Sequence, residues 1–403
     1  MTRRFLRMAI VLGLITAVGP FAIDMYLPAL PSMGKSLHAG PGAVQMSLMV
    51  FFIVIGICQL FYGPLSDIVG RKLPIYAGLA IFAVGSIGCA LAPGINILIA
   101  FRVIQAFGAC AGMVIPRAIV RDLHTGHDAT RLMSLLMLTV SISPILAPLT
   151  GSFVIAAFGW RGVFAVLTVA AALALVLAAT QLKESRPPEH RGESTWLSAF
   201  SAYGLLLRDR EFTGLVLVGA LGVSSFFVYL GSASFVLINY YGLTPKLFSL
   251  CFALNAASFF GFSQLTGLLT QKFGLPRVIR VAASGFALAM LSLAVLFAMG
   301  ANSLIALMAP LFIGYGFLGL VIPTSAVLAL EHHGAIAGTA SALMGSLQMI
   351  IGSAIMALAG LFANGTPRPM AFGIAACAVA SFIAAAFSVR HGSAVVSVIP
   401  QRG

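Results

Sequence analysis

Gly63-Pro64-Leu65-Ser66-Asp67-Ile68-Val69-Gly70-Arg71-Lys72 is a short polar connection between two apolar runs, 44–62 before it and 73–91 after it. Its glycines permit a tight turn, and its charges interrupt the apolar pattern. A second stretch, Gly267-Leu268-Leu269-Thr270-Gln271-Lys272-Phe273-Gly274-Leu275-Pro276, stands between two later runs. Gly63 and Gly267, Leu65 and Leu269, and Gly70 and Gly274 are each 204 positions apart. The connection therefore marks an internal repeat. In the second copy Gln271 replaces Asp67 and Leu275 replaces Arg71, so the two charges belong to the first copy alone.

The alternation of apolar run and polar connection continues in both directions. Helices are expected at 8–27, 44–62, 73–91, 95–115, 132–157 and 162–182, and again at 213–238, 247–269, 278–299, 303–330, 335–362 and 370–389. Apolar residues make up 60% of the chain and charged residues 8%, with a mean hydropathy of +1.06. A soluble domain averages about 25% charged residues, so the bilayer must be the solvent for most of this chain. One span takes about 20 apolar residues, and the 403 residues accommodate about twelve. The expected fold is an all-α membrane protein with twelve transmembrane helices in two pseudo-symmetric six-helix halves. The halves are 1–182 and 212–403, the second with a short cytoplasmic tail. A polar linker, 183–211, joins them in the cytoplasm, and 196–207 within it can lie along the membrane surface as a helix.

The net charge of +13 does not indicate a nucleic-acid partner, because the basic residues form no continuous patch and fall between apolar runs. They read as topology signals. With the N-terminus in the cytoplasm, that side collects Arg3, Arg4, Arg7, Arg71, Lys72, Arg117, Arg121, Arg131 and most of the later basic residues. The opposite side has only Lys35, Arg161, Lys246 and Arg368. Both termini are then cytoplasmic by the positive-inside rule. The N-terminal run imitates a signal peptide but continues into Asp24-Met25-Tyr26-Leu27-Pro28 without a small-residue cleavage site, and reads as a retained first helix. The five cysteines lie inside apolar runs without a CxxC pair, which points to packing rather than to metal or disulfides. His124-x-x-His127 lies in a connection without further ligands and reads as a solvated loop.

Gly63-x-Leu65-x-Asp67-x-x-Gly70-Arg71-Lys72 resembles the loop signature of the major facilitator superfamily, between its second and third helices. Leu98-x-x-x-Arg102-x-x-Gln105-Ala106-x-Gly108 resembles that family's fourth-helix motif, with Ala106 where Gly is usual. Pro144-x-x-Ala147-Pro148-x-x-Gly151-Ser152 resembles the fifth-helix motif of its drug/proton antiporters, with Ala-Pro for Gly-Pro and Gly-Ser for Gly-Gly. Asp24-Met25-Tyr26-Leu27-Pro28-Ala29-Leu30-Pro31 looks like the first-helix ending of the Bcr/CflA drug-resistance subfamily. The resemblance covers the whole chain. It implies nested repeats around a midplane site, and a bent fifth helix that packs tightly on the other half; Pro144 and Pro148 would bend it, and Gly151 and Ser152 allow close backbone packing.

Asp24 is the one acidic residue expected inside the membrane. There it costs about 2.5–3.5 kcal/mol on insertion scales, and desolvation disfavours its charged form, which suits a proton carrier. The alternative is a solvated helix end nearer the outer surface. Thr16, Pro20 and Asp24 are four apart, share one helix face and should line the cavity. Arg102, the one basic residue expected mid-membrane, cannot carry the proton but can pair with Asp24 and exchange partners during transport. A static ion pair is the alternative. At the repeat offset these two correspond to Val228 and Ala306, which confines proton coupling to the first half. Gly63, Asp67, Gly70 and Arg71 are expected to form a conformational switch with Arg121 as a partner for Asp67. Turn formation alone is the alternative.

A permissive apolar cavity can draw on Met49, Phe52, Phe226, Tyr229, Phe259 and Tyr315. Gln105, Asn255 and Gln348 serve either as interhelical glue or as ligand contacts. No Gly-x-x-x-x-Gly-Lys-Ser/Thr run is present, so ATP is not the expected energy source. The sequence predicts a proton-coupled efflux transporter of the bacterial inner membrane, without cofactor, using the proton gradient. It is expected to be a monomer, not an enzyme, and to carry amphipathic, drug-like small molecules. Transport of one defined metabolite, such as a sugar or amino acid, and a membrane sensor without transport are the competing readings.

Overall fold

The computed structural model describes residues 3–124, 126–187, 189 and 196–392. Among them the structure is helical, without strands. In chain order the helices are α1 (Arg3–Asp24), α2 (Leu30–Ser36), α3 (Pro41–Val69), α4 (Lys72–Leu91), α5 (Ile95–Leu123), α6 (Gly126–Gln181) and α7 (Trp196–Arg208). They continue as α8 (Arg210–Ser234), α9 (Pro245–Gln264), α10 (Thr266–Phe273), α11 (Leu275–Ala298), α12 (Leu304–Leu330), α13 (Ala337–Leu361) and α14 (Pro367–Gly392).

Eleven helical stretches among the described residues are long and apolar enough to cross a membrane. One of them, Asp128–Gln181, has 54 residues and at 1.5 Å per residue rises about 80 Å, more than twice a bilayer core. It breaks at Gly159, whose φ of 69° and ψ of −177° leave the helical region. Glycine alone adopts that conformation without strain. α6 is therefore two crossings, the expected fifth and sixth helices, and the described residues make twelve. Large apolar side chains such as Leu91, Phe158, Ile305 and Leu361 are exposed, which is stable only against lipid.

The repeat read from the glycines is present in the backbone. α3 runs Pro41–Val69, and its counterpart span runs Pro245–Phe273, each of 29 residues and offset by 204 at both ends. Each ends on a glycine at positive φ, Gly70 at 99° and Gly274 at 79°, and the next span starts within two residues. The copies differ in that the second is broken at Leu265 into α9 and α10. Helix starts carry local caps. The Ser303 hydroxyl accepts from the Ala306 N–H at 3.1 Å ahead of α12. The Asp209 carboxylate accepts from the Glu211 and Phe212 N–H groups at 2.8 and 3.3 Å ahead of α8.

The chain gathers into two compact units, Met1–Phe200 with Gly231–Ala253, and Ser201–Leu230 with Leu254–Gly403. Gly231–Ala253 lies in the second half of the sequence, yet its hydrogen bonds explain its place in the first unit. Ser234 donates to the Leu27 carbonyl at 2.6 Å, and Ser249 to the Pro148 carbonyl at 2.8 Å. Within this segment 235–240 is a π-helical turn, closed by Tyr241 N–H donating to the Val236 carbonyl at 3.1 Å.

Candidate functional site

The α3–α4 connection folds around the Arg71 side chain, which is buried. Its Nη2 lies 2.7 Å from Asp67 Oδ1, one turn back on α3. Its Nε and Nη2 donate to the two Asp122 oxygens at 2.8 and 3.2 Å, and its Nη1 donates to Ser66 Oγ at 2.6 Å. The first-helix-turn N–H groups of α4 need acceptors. Glu184 supplies them, taking Arg71 N–H and Lys72 N–H at 2.9 and 3.2 Å. Arg186 Nη1 stands 3.7 Å from Asp67, and Ser185 Oγ donates to Asp122 at 3.0 Å. The start of the linker is thus stapled onto the turn. Burial opposes the charge on Arg71, but the bonds and charges of Asp122 and Asp67 outweigh it and hold the guanidinium above its ordinary pKa.

Gly63 is half-buried in α3, and Gly70 takes the positive φ at its end. Arg121 departs from expectation. It is exposed on α5, and among the described residues Asp67 pairs with Arg71 and Arg186 instead. The next residue, Asp122, turns toward Arg71 because a helix rotates about 100° per residue. Asp122 and Glu184 were missed by the sequence reading. The side chain of His127 lies outside the described residues.

In the first unit, Thr16, Pro20 and Asp24 are buried along α1, with the Thr16 hydroxyl tied back to the Leu12 carbonyl at 2.8 Å. Arg102 is 0% exposed. Its guanidinium carbon lies 4.5 Å from the Tyr26 ring centroid and 4.0 Å from that of Phe51. Its Nη1 donates to the Ala22 carbonyl at 3.1 Å and to Gln105 Oε1 at 2.6 Å. Gln105 in turn donates to Ser86 Oγ at 2.8 Å. Among the described residues Arg102 Nη2 has no hydrogen-bond partner. The structure does not join Asp24 to Arg102. Two carbonyls, of Ala22 and of Ser47 (from Nε, 3.4 Å), and two aromatic faces hold the cation, and among the described residues no cation forms an ion pair with Asp24. Of the α3 candidates, Met49 is half-buried, while Phe52 is buried edge-on to Phe51 at 6.5 Å.

Pro144, Pro148 and Gly151 lie on the first half of α6. A β-carbon on Gly151 would collide with the Met25 carbonyl, so this glycine permits close approach to the end of α1. The nearest neighbour of Gly151 is Met25, just past α1, while the expected contact of the fifth helix with the second half of the sequence is made at Pro148 by Ser249. The prolines withdraw N–H donors from α6, which frees the carbonyls of Val140 and Pro144; the Pro148 carbonyl accepts in addition from the Ser249 hydroxyl at 2.8 Å.

In the second unit, Tyr229 of α8, Asn255 of α9 and Tyr315 of α12 come together. Asn255 Nδ2 donates to the Tyr229 hydroxyl at 3.1 Å, and the two tyrosine rings are 5.6 Å apart. Phe259 is half-buried one turn beyond Asn255, with its carbonyl against Gly319. Half-buried Gln348 of α13 lies near Gly219, where a β-carbon would stand 2.9 Å from its amide.

Twelve crossings from a repeated helical unit, with a buried acid and a buried arginine inside the first, define a multi-pass membrane protein built like a secondary transporter. The chain belongs to the Major Facilitator Superfamily, whose profile matches residues 12–357. It is 36% identical over 360 residues to the uncharacterized MFS-type transporter YdgK of Bacillus subtilis, covering 88% of this chain and 89% of that one. It is 30% identical to multidrug resistance protein D of Escherichia coli, with 88% of both chains covered. The bicyclomycin resistance protein homolog of Haemophilus influenzae is 28% identical, over 93% of this chain and 94% of that one. Among solved structures, a D-xylose–proton symporter matches with a TM-score of 0.75 and 18% identity, over 95% of this chain and 97% of that one. A bacterial homolog to the human lysosomal transporter Spinster, inward-facing and unoccupied, matches over 100% of both chains, with a TM-score of 0.74 and 16% identity. These two likenesses show the fold.

Proposed function

We propose that this chain exports small amphipathic molecules across the bacterial inner membrane in exchange for protons. The observation that carries the proposal is Asp24, a carboxyl 5% exposed inside the first span, with no ion-pair cation among the described residues. A lone buried carboxylate is costly in a bilayer. Such a group is stable when it takes a proton from one side, and it must reach water before releasing it on the other. Arg102 serves as a fixed positive charge in the same unit rather than as a partner to be exchanged. The resistance names of two of these relatives support drug-like substrates and outward transport. The excess of Lys and Arg in alternate connections supports cytoplasmic termini and an even division into halves 1–182 and 212–403 around the linker. The protein acts as a transporter rather than an enzyme, draws on the proton gradient without a cofactor, and works as a monomer.

Asp24→Asn tests this in proteoliposomes with an imposed pH gradient. Gradient-driven transport is expected to fall to background while the purified variant keeps the melting temperature of the parent. Undiminished gradient-driven transport by the variant would overturn the assignment.

A further inference from the structure

Asn255 carries a feature that its neighbours in the second unit do not resolve. The residue is 1% exposed, and among the described residues its Oδ1 has no hydrogen-bond donor. Its Nδ2 is already engaged by the Tyr229 hydroxyl, and the nearby Tyr315 hydroxyl is turned to the Ser225 carbonyl at 3.4 Å. The Tyr229 that accepts this bond belongs to a cluster of three rings. Tyr229 and Tyr315 are 5.6 Å apart, and Phe226 lies 5.8 Å from Tyr315 at an interplanar angle of 80°.

Natural interiors leave few acceptors unpaired. A leucine would fill the same volume without that penalty but would give up the bond to Tyr229; the asparagine serves that bond with its Nδ2 and leaves its Oδ1 over. Other buried polar atoms lack partners too, among them the hydroxyls of Ser143 and Thr266, but the Asn255 amide is bonded to a member of an aromatic cluster. Aromatic walls with one convergent polar group are the usual make-up of a small-molecule site. The polar group here accepts and does not donate.

We propose that Asn255 Oδ1 is a specificity anchor for exported substrates, selecting flat aromatic molecules that carry an N–H or O–H donor beside the ring system. Tyr229, Tyr315 and Phe226 supply the apolar faces. The amide is enclosed in this conformation, so the ligand takes this place when α8 and α9 open during the transport cycle. The inference rests on the small-molecule export reading.

Two cationic probes separate the possibilities. Ethidium is flat and bears two aromatic amines, whereas tetraphenylphosphonium has no hydrogen-bond donor. Binding is measured by fluorescence and by equilibrium dialysis on the purified full chain and on Asn255→Leu. The variant is expected to weaken ethidium binding about tenfold and to leave tetraphenylphosphonium within about twofold of the parent. It should melt near the parent temperature, since an unpaired acceptor is gone but so is the bond to the Tyr229 hydroxyl. Asn255→Asp keeps an acceptor and is expected to retain ethidium; it serves as well if the leucine variant does not fold. Equal losses for both probes, or unchanged ethidium affinity, would overturn the anchor while leaving the export reading standing. A parent protein that binds neither probe would overturn the anchor, while the export reading stands or falls with Asp24→Asn.

Discussion

Arg102 shows how much of a buried charge is decided by neighbours of other chemistry. An arginine in the middle of a span is expected to look for a carboxylate. Here it is held between the faces of Tyr26 and Phe51 and bonded to two backbone carbonyls and to Gln105. A planar guanidinium fits such a slot and a lysine does not. Arg102→Lys keeps the charge but loses the stacking and leaves acceptors unpaired. It is expected to lower the unfolding free energy by about 1–3 kcal/mol and to slow transport. Thermal unfolding in detergent, read beside a transport assay, checks this. A parent-like melt with parent-like transport would show that charge alone is what the site needs.

The α3–α4 turn is held by a network at the scale of elements. Arg71 ties α3 to α5 through Asp67 and Asp122, and Glu184 ties the linker to the start of α4. Asp67 is about one-third exposed and Asp122 less so, at 32% and 17% of the side chain. Water therefore replaces more of what a lost Asp67 supplied. Asp122→Asn is expected to disturb the turn at least as much as Asp67→Asn. Turnover should slow in both, with equilibrium substrate affinity nearly unchanged, because the network lies at a helix end rather than among the mid-span residues. Paired measurements of transport rate and binding isotherm for the two variants test this. A large loss of affinity with an unchanged rate would place the network in substrate recognition.

At the scale of the whole molecule, the proposed exchange has a defined energy source. One charge crossing 100 mV releases about 2.3 kcal/mol, and each unit of pH difference adds about 1.36 kcal/mol. A neutral solute exchanged for one proton is then concentrated on the order of a hundredfold by modest gradients. Exchange also has a signature at equilibrium. If proton and substrate compete for one conformation, adding substrate to purified protein in weakly buffered detergent releases protons. A pH dye should record acidification in the parent and none in Asp24→Asn. Proton uptake on adding substrate would turn the direction to symport and import.

The twelve crossings, the repeat at an offset of 204 and the family followed from local information, because a span is a contiguous run and a turn is a contiguous motif. The positions of Asp67, Arg71, Asp24 and Arg102 were legible for the same reason, since a charge in or beside an apolar run is conspicuous in one dimension. Their partners were not. Asp122 is 51 residues from Arg71 and Glu184 is 113, and the rotation of α5 decided that Asp122, not Arg121, faces the turn. The choice of Tyr26, Phe51 and the Ala22 carbonyl around Arg102 likewise needed three helices placed together. So did the unpaired amide oxygen of Asn255, because a missing donor is a property of the surrounding volume. Sequence determined which groups are unusual for a bilayer; only the tertiary structure decided what each of them meets, since hydrogen bonds and ring contacts act over a few ångströms of space and not along the chain.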